Sequence, residues 1–193
     1  MSGARLATAL ALLAVQWLAT PGAHAQEPIR IGTKVFTESY VLGEITAQLL
    51  EAEGFAVERQ LGLGGTLFAY EALRGGDIDI YPEYTGTLKL VILDQPGLER
   101  AELQRVLAGL ELQMLVSLGF NTSYAVAVSE SMAEALGLSA VSDLAAHPQL
   151  RAGFSHEFLN RSDGWPALSA TYGLSQSAVG LEHALAYEAI ENA

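Results

Sequence analysis

The strongest constraint on the fold of this chain is a regular alternation of strand-like and helical patterns in its N-terminal half. Short strand-like runs alternate with longer stretches whose apolar side chains recur at helical spacing, and a glycine ends the first of these stretches. The order is strand 29–33, helix 39–53, strand 55–61, helix 66–74 and strand 77–81. A β-α-β-α-β succession predicts a parallel sheet with helices on its faces, so the predicted fold class is α/β.

The same style continues along the chain, with one change of pattern. Helices are predicted at 88–93, 99–113, 130–136, 142–146, 163–172 and 181–192, and strands at 114–120, 123–128 and 151–154. The two successive strand-like runs after residue 113 indicate a crossing into a second domain, which divides the chain into lobes 26–115 and 116–193. Because the chain stops on a predicted helix with no strand after it, the second lobe is expected to be incomplete, as in a fragment or a truncated product.

Residues of unusual type follow each of the three strands predicted in the first lobe. The loops read KVFTE at 34–38, GLGGT at 62–66 and YPEYTGT at 81–87. In open α/β sheets, ligands bind beyond the carboxyl ends of the strands, where these three loops are expected to meet. The sequence therefore predicts a ligand-binding crevice at this edge of the sheet.

None of the motifs indicates an active site. The GLGGT loop has neither the Gly-Lys-Ser/Thr ending of a P-loop nor the full spacing of a dinucleotide fingerprint, which favours a tight strand-to-helix turn. Asp77 and Asp79 lie two apart on a predicted strand and are expected at a solvated edge or as a cap. His147, His156 and His183 have no nucleophile beside them and no partner at zinc-ligand spacing. We therefore expect no cofactor, no metal and no enzymatic activity.

The N-terminus has the composition of a secretory signal. A short positive start precedes the apolar run 6–19, and Ala23 and Ala25 fit a cleavage site before Gln26. The run is shorter than the roughly 20 residues that cross a bilayer, which favours a cleaved signal peptide over residues 1–25 rather than an anchor. Export to the periplasm is therefore predicted.

Charge and cysteine content exclude several kinds of partner and site. The chain contains 22 acidic and 10 basic residues, with a net charge of −12, so nucleic acid and anionic membranes would repel it. It contains no cysteine, which excludes disulfides, thiolate metal sites and a lipid-modified cysteine anchor. A soluble, monomeric, exported protein is expected.

Five stretches, taken together, resemble a known family. They read IGTKVFTE at 31–38, GLGGT at 62–66, DIYPEYTGT at 79–87, LGFNTSYAVAV at 118–128 and EFLNRSDG at 157–164. The set is similar to the substrate-binding proteins of ABC importers for glycine betaine, proline betaine, carnitine and choline. The resemblance implies the two-lobed, hinged periplasmic-binding-protein fold. A ligand would lie between the lobes and pass to an inner-membrane permease with its ATPase.

The resemblance also implies roles for five residues. Tyr84 and Tyr124 match members of an aromatic cage around a trimethylammonium group, and Lys34, Thr87 and Arg161 match the donors to a carboxylate. These residue types suit such a ligand. A quaternary ammonium has no N–H to donate, so ring faces recognise it through cation–π attraction, while a planar guanidinium binds a carboxylate with two hydrogen bonds.

Two alternatives to a working importer component stay open at the sequence level. In the resembled family, further cage aromatics come from the second lobe beyond the position that matches residue 193. A truncated or degenerate binding protein without transport activity is therefore one alternative, and a secreted enzyme is the weaker one. The motifs do not select among the betaine, choline and carnitine classes of ligand.

Overall fold

The computed structural model describes residues 27–191, so the predicted signal peptide at 1–25 lies outside the described residues. Strand β1 (Ile29–Gly32) and strand β2 (Val57–Gln60) pair in parallel, with Ile29 opposite Val57. Helix α1 (Thr37–Ala52) is the crossover between them, and helix α2 (Thr66–Gly75) follows β2. The predicted β-α-β-α order is confirmed, with helix boundaries within two residues of those expected.

The third predicted strand, 77–81, is wrong as a strand and is reduced to one parallel bridge between Ile31 and Ile80. Its polar neighbours explain the change. The carboxylate of Asp79 accepts the main-chain N–H of Arg30 at 2.7 Å and forms a 2.7 Å ion pair with the Arg30 guanidinium. The Asp79 side chain thus accepts the Arg30 main-chain N–H, which in a regular sheet would donate to a main-chain carbonyl of the neighbouring strand. The segment still runs beside β1 and leads to the loop at 81–87.

Helix α1 turns its small residues toward β1. Ser39, Gly43 and Ala47 form its buried face. The packing at Gly43 is so close that a Cβ there would clash with the side chain of Thr33. Three aliphatic side chains of the helical pattern, those of Val41, Ile45 and Leu49, lie on the opposite side and are at least half exposed. The helix is therefore correctly predicted, while its apolar stripe is not the face that packs on the sheet.

The remaining helices of residues 27–115, here called the N-terminal part, pack around a second apolar cluster. Helix α3 (Thr85–Thr87) runs into a π-helix (Leu88–Ile92), and helix α4 (Arg100–Gly109) begins with a capping box between Glu99 and Glu102. Leu88, Leu103 and Leu107 are the buried members of the cluster. This packing holds the C-terminal end of the 81–87 loop.

Residues 116–191, here called the C-terminal part, contain a second parallel sheet of two strands. The elements after residue 128 are α5 (Glu130–Leu136), a 3-10 helix (Val141–Ala146), β3 (Arg151–Ser155), α6 (His156–Asn160), α7 (Trp165–Tyr172), β4 (Ser177–Leu181) and α8 (His183–Glu191). Strands β3 and β4 pair with Arg151 opposite Ser177. The helix predicted from residue 181 begins at His183 instead, because Ser177–Leu181 form β4.

The predicted strands 114–120 and 123–128 are wrong, because this segment has no regular secondary structure. An alternating apolar pattern fits a strand, but a strand also needs a neighbour for its main-chain groups. No strand of residues 27–191 pairs with this segment. Several of its apolar side chains are open to solvent, with Val116 at 89% and Leu118 at 68% exposed.

Hydrogen exchange is expected to separate this segment from the rest of the chain. The amides of 114–128 should exchange much faster than those of β1 and β2, because irregular, exposed backbone opens without breaking a sheet. Exchange followed by mass spectrometry on residues 26–193 measures both. Strong protection from Met114 to the C-terminus in a monomer would contradict the expectation.

Candidate functional site

The three loops after β1, β2 and the Ile80 bridge meet at the side chain of Lys34. Its ammonium nitrogen, Nζ, donates to Oε1 of Glu83 at 2.7 Å and lies 3.4 Å from Oγ1 of Thr66. Each of these three residues comes from a different loop. The arrangement has the position expected at the carboxyl ends of parallel strands.

Lys34 and Glu83 form a buried ion pair. Their side chains are 6% and 7% exposed, and the Oε1 atom of Glu83 also accepts the main-chain N–H of Tyr84 at 2.9 Å. The Oε2 atom of Glu83 and the hydroxyl of Tyr81 are buried without a hydrogen-bond partner in the part of the chain described. Burial, with the Glu83 charge next, raises the pKa of Tyr81, so its hydroxyl stays protonated.

Tyr84 presents its ring to the same place. The ring centroid lies 5.9 Å from Nζ of Lys34, and Phe120 packs edge-on at 6.3 Å. The hydroxyl donates to Thr122 at 3.4 Å, and Thr122 donates to Glu38 at 2.9 Å. Burial is the first cause that raises the pKa of Tyr84 to about 12, so the ring stays neutral at physiological pH.

Arg161 is held by carboxylates of its own motif. Its Nε and Nη2 atoms donate to the two oxygens of Asp163 at 2.8 and 2.7 Å, a bidentate pair in which the guanidinium side chain is 8% exposed. The hydrogen bonds from Arg161 lower the pKa of Asp163, which stays ionised. The remaining nitrogen, Nη1, makes longer contacts, at 3.3 Å to Glu157 and 3.5 Å to Oγ1 of Thr87.

Tyr124 lies beside Arg161 at the surface. The guanidinium carbon is 5.7 Å from its ring centroid, and the ring of Phe158 is 4.7 Å away on a tilted axis. Tyr124 is 60% exposed. Both predicted cage rings therefore already face a protein cation, Lys34 in one case and Arg161 in the other.

The structure brings the five predicted residues together as two groups. Lys34 and Tyr84 form one, and Thr87, Tyr124 and Arg161 form the other. The groups are joined by the carboxylate of Glu157, which accepts from the main chain and the hydroxyl of Thr66 at 3.1 and 2.6 Å.

Sequence reasoning missed three acidic residues at this site: Glu83, Glu157 and Asp163. Glu83 lies inside the YPEYTGT loop, and the other two flank Arg161 four residues before it and two after it. The i, i+4 spacing of Glu157 and Arg161 on a helical segment is a recognisable signal for an ion pair.

Two cavities of about 250 Å³ each lie elsewhere, one lined by apolar residues around Val126 and Leu144 and the other between Lys89 and Arg100. Neither includes a predicted site residue. Among residues 27–191, no three acidic or histidine side chains are grouped to hold a metal ion. Within the same range, every helix is too short or too polar to cross a membrane.

Stability should depend strongly on the buried ion pair. Lys34→Met is expected to lower the free energy of unfolding by about 3–5 kcal/mol, because it leaves the Glu83 charge buried without a partner. The double variant Lys34→Met/Glu83→Gln should recover part of that loss. Arg30→Met is the matched control, since its pair with Asp79 is exposed and should contribute no more than about 1 kcal/mol. Urea unfolding measures all four proteins, and equal losses for Lys34→Met and Arg30→Met would contradict the argument.

The chain is similar to transport proteins along nearly its whole length. A glycine-betaine-binding protein of Pseudomonas aeruginosa is 37% identical over 198 residues, covering 93% of this chain and 63% of that protein. An ergothioneine transport permease/ergothioneine binding protein of Helicobacter pylori is 34% identical over 169 residues, covering 84% of this chain and 31% of that protein. The chain thus spans between about a third and two thirds of these relatives.

The fold of this chain is similar to that of a protein of known structure. A crystal structure of a glycine betaine/carnitine/choline ABC transporter matches with a TM-score of 0.54 and 23% identity, over 86% of this chain and 64% of that one. This likeness confirms the predicted α/β, periplasmic-binding-protein fold.

The family model for the substrate-binding domain of the ABC-type glycine betaine transport system matches residues 27–193. That match includes both parts of the chain and all five residues of the candidate site. The chain therefore belongs to the family of substrate-binding domains of ABC-type glycine betaine transport systems.

Proposed function

We propose that this protein is the periplasmic solute-binding component of an ABC importer, and that it captures glycine betaine or a related quaternary-ammonium compound. The observation that carries the proposal is the approach of Arg161 to Thr87 across the two parts of the chain, at 3.5 Å. The Tyr124 ring lies beside Arg161, and the Tyr84 ring lies beside Lys34 in the loop that ends at Thr87. These contacts support a ligand site to which both parts of the chain contribute carboxylate donors and aromatic rings.

The two rings suit the trimethylammonium end of the ligand. Each has a protein cation within 6 Å of its centroid, at 5.9 Å for Tyr84 and 5.7 Å for Tyr124, so a ligand cation would approach each ring away from that cation. A cation over a tyrosine face contributes about 0.5–2 kcal/mol, and a neutral ring keeps this capacity at all physiological pH values. The nearby carboxylate of Glu38, which accepts from Thr122, adds attraction for a positive group.

Arg161 is the best donor for a ligand carboxylate. Asp163 fixes two of its three nitrogens, so the guanidinium plane is already oriented and little entropy is lost when the third nitrogen binds. Nη1 makes only long contacts, to Thr87 and Glu157, so a ligand carboxylate would bind this one nitrogen rather than form the two-bond pair expected from the sequence. Lys34 contributes charge at the crevice while its strongest contact stays with Glu83.

A ligand that contacts both parts would stabilise the closed conformation. The closed, ligand-bound protein is the form that would dock on a permease with its ATPase. The proposed mode of action involves binding and release only, without turnover. Export through the predicted signal at 1–25 would place the protein in the periplasm. A binding protein without transport activity is the alternative, and uptake of the bound solute by cells, with and without the gene, separates the two.

Isothermal titration tests ligand choice directly. We expect the protein to bind at least one of glycine betaine, choline, carnitine and ergothioneine, all of which carry a trimethylammonium group, and to release no product. Free amino acids of similar size are the control ligands, because they lack the methylated cation. Heat with free amino acids and none with any methylated amine would contradict the proposal.

The two ends of the ligand should respond to different substitutions. Tyr84→Ala should weaken glycine betaine and choline about equally, roughly threefold to thirtyfold, since both carry the same cationic head. Arg161→Ala should weaken glycine betaine at least tenfold more than choline, which has no carboxylate. Tyr172→Ala, an exposed tyrosine on α7, is the matched control. Equal losses for both ligands in both variants would show that the assigned roles are wrong.

A further inference from the structure

The contact between Glu157 and helix α2 joins the two parts of the chain. Glu157 lies on α6 in the C-terminal part, and Thr66 is the first residue of α2 in the N-terminal part, 91 positions away. One carboxylate oxygen accepts the Thr66 main-chain N–H at 3.1 Å, and the other accepts the Thr66 hydroxyl at 2.6 Å. The Glu157 side chain is 14% exposed.

Helix α2 needs this carboxylate because it has no cap of its own. The first N–H groups of a helix lack partners within the helix, and the residue before the first turn usually accepts one of them with its side chain. Here that residue is Gly65, which has no side chain to do so. The carboxylate of Glu157 takes this place, and its negative charge also suits the positive end of the helix dipole.

The same carboxylate contacts the residue proposed to bind the ligand. Oε1 of Glu157 lies 3.3 Å from Nη1 of Arg161, the nitrogen that Asp163 leaves free. The position of this nitrogen is therefore linked to the contact with α2. If the two parts separated, Glu157 would lose its partners on Thr66 and Arg161 would lose Thr87 in the same movement.

We infer that Glu157 is a positioning residue that couples closure of the crevice to the orientation of Arg161. The inference rests on the proposed function, because it assumes that Arg161 binds the ligand. Glu157 itself need not touch the ligand. Its carboxylate holds the two parts together at the N-terminus of α2 and directs the free nitrogen of Arg161 into the crevice.

Gly65 supplies an independent way to disturb the same contact. A Cβ built on Gly65 would lie 2.9 Å from Oε2 of Glu157, closer than a carbon and a carboxylate oxygen approach. Its backbone angles, φ −81° and ψ −170°, are open to any residue. Gly65→Ala should therefore displace Glu157 without straining the loop and without changing a charge.

The test compares Glu157→Gln and Gly65→Ala with the control Glu134→Gln, an exposed carboxylate on α5. The first readout is the pair of rate constants for the best ligand from the titration, measured by stopped flow. We expect both site variants to raise the dissociation rate constant about tenfold, with the association rate constant within twofold of the unsubstituted protein, because a contact made on closure acts on release. The control should change neither.

The second readout needs no ligand. The chain has no cysteine, so Glu71→Cys and Ala167→Cys, both exposed, accept a pair of spin labels without background. Both site variants should shift or broaden the label-to-label distance distribution relative to the control. Unchanged distances and dissociation rates in both variants would overturn the inference. It would be overturned even if the melting temperature fell, because a loss of stability alone would indicate a merely structural role. Failure of every ligand to bind would refute the proposed function and the role of Arg161 with it, and the distance measurement would then decide only whether Glu157 holds the two parts together.

Discussion

The buried pair of Lys34 and Glu83 is the interaction on which the geometry of the crevice depends. Charges that are removed from water must be matched by opposite charges and hydrogen bonds, or the folded state is strongly disfavoured. Here the 2.7 Å contact fixes the loop after β1 against the 81–87 loop, and the approach of Lys34 to Thr66 adds the loop after β2. One ammonium group thereby sets the relative positions of three loops.

The site as a whole is organised by an excess of acidic groups over basic ones. Lys34 and Arg161 each have a carboxylate partner at 2.7 Å, and each also lies near a tyrosine ring. Glu38 and Glu157 add two further negative charges close by. The carboxylates hold Lys34 and Arg161 in place. The remaining negative charge near the two tyrosine rings attracts an additional positive group. That balance suits a ligand whose positive end is permanently charged.

The N-terminal sheet was predictable because its constraints are local. Periodicity predicted α1 and α2, and the rule for parallel strands predicted that the loops carrying Lys34 and Tyr84 would meet. The acidic partners were not predicted, since Glu157 contacts a helix 91 positions away and only the assembled chain shows that contact.

The wrong secondary-structure predictions in the C-terminal part have a different physical origin. The apolar, strand-like runs at 114–128 could pair with another strand. A strand forms only where a neighbouring strand accepts and donates hydrogen bonds to its main chain. Strand β4 was missed because alanine and glycine, which carry little strand preference, occupy two of its five positions, and one of these, Gly180, lies where a Cβ would clash with the ring of His156.

The close approach of α1 to β1 has a consequence for how ligands can be selected. With Gly43 against the side chain of Thr33, the helix leaves no room for the end of β1 to shift, and Lys34 is the next residue. The backbone that carries Lys34 is therefore held by α1, and its ammonium group is held by Glu83. Under the proposed function, a ligand of slightly different length would have to change its own pose, because the backbone around Lys34 is closely packed. Selectivity for size would then originate in the tight contact beneath the crevice as much as in the side chains that line it.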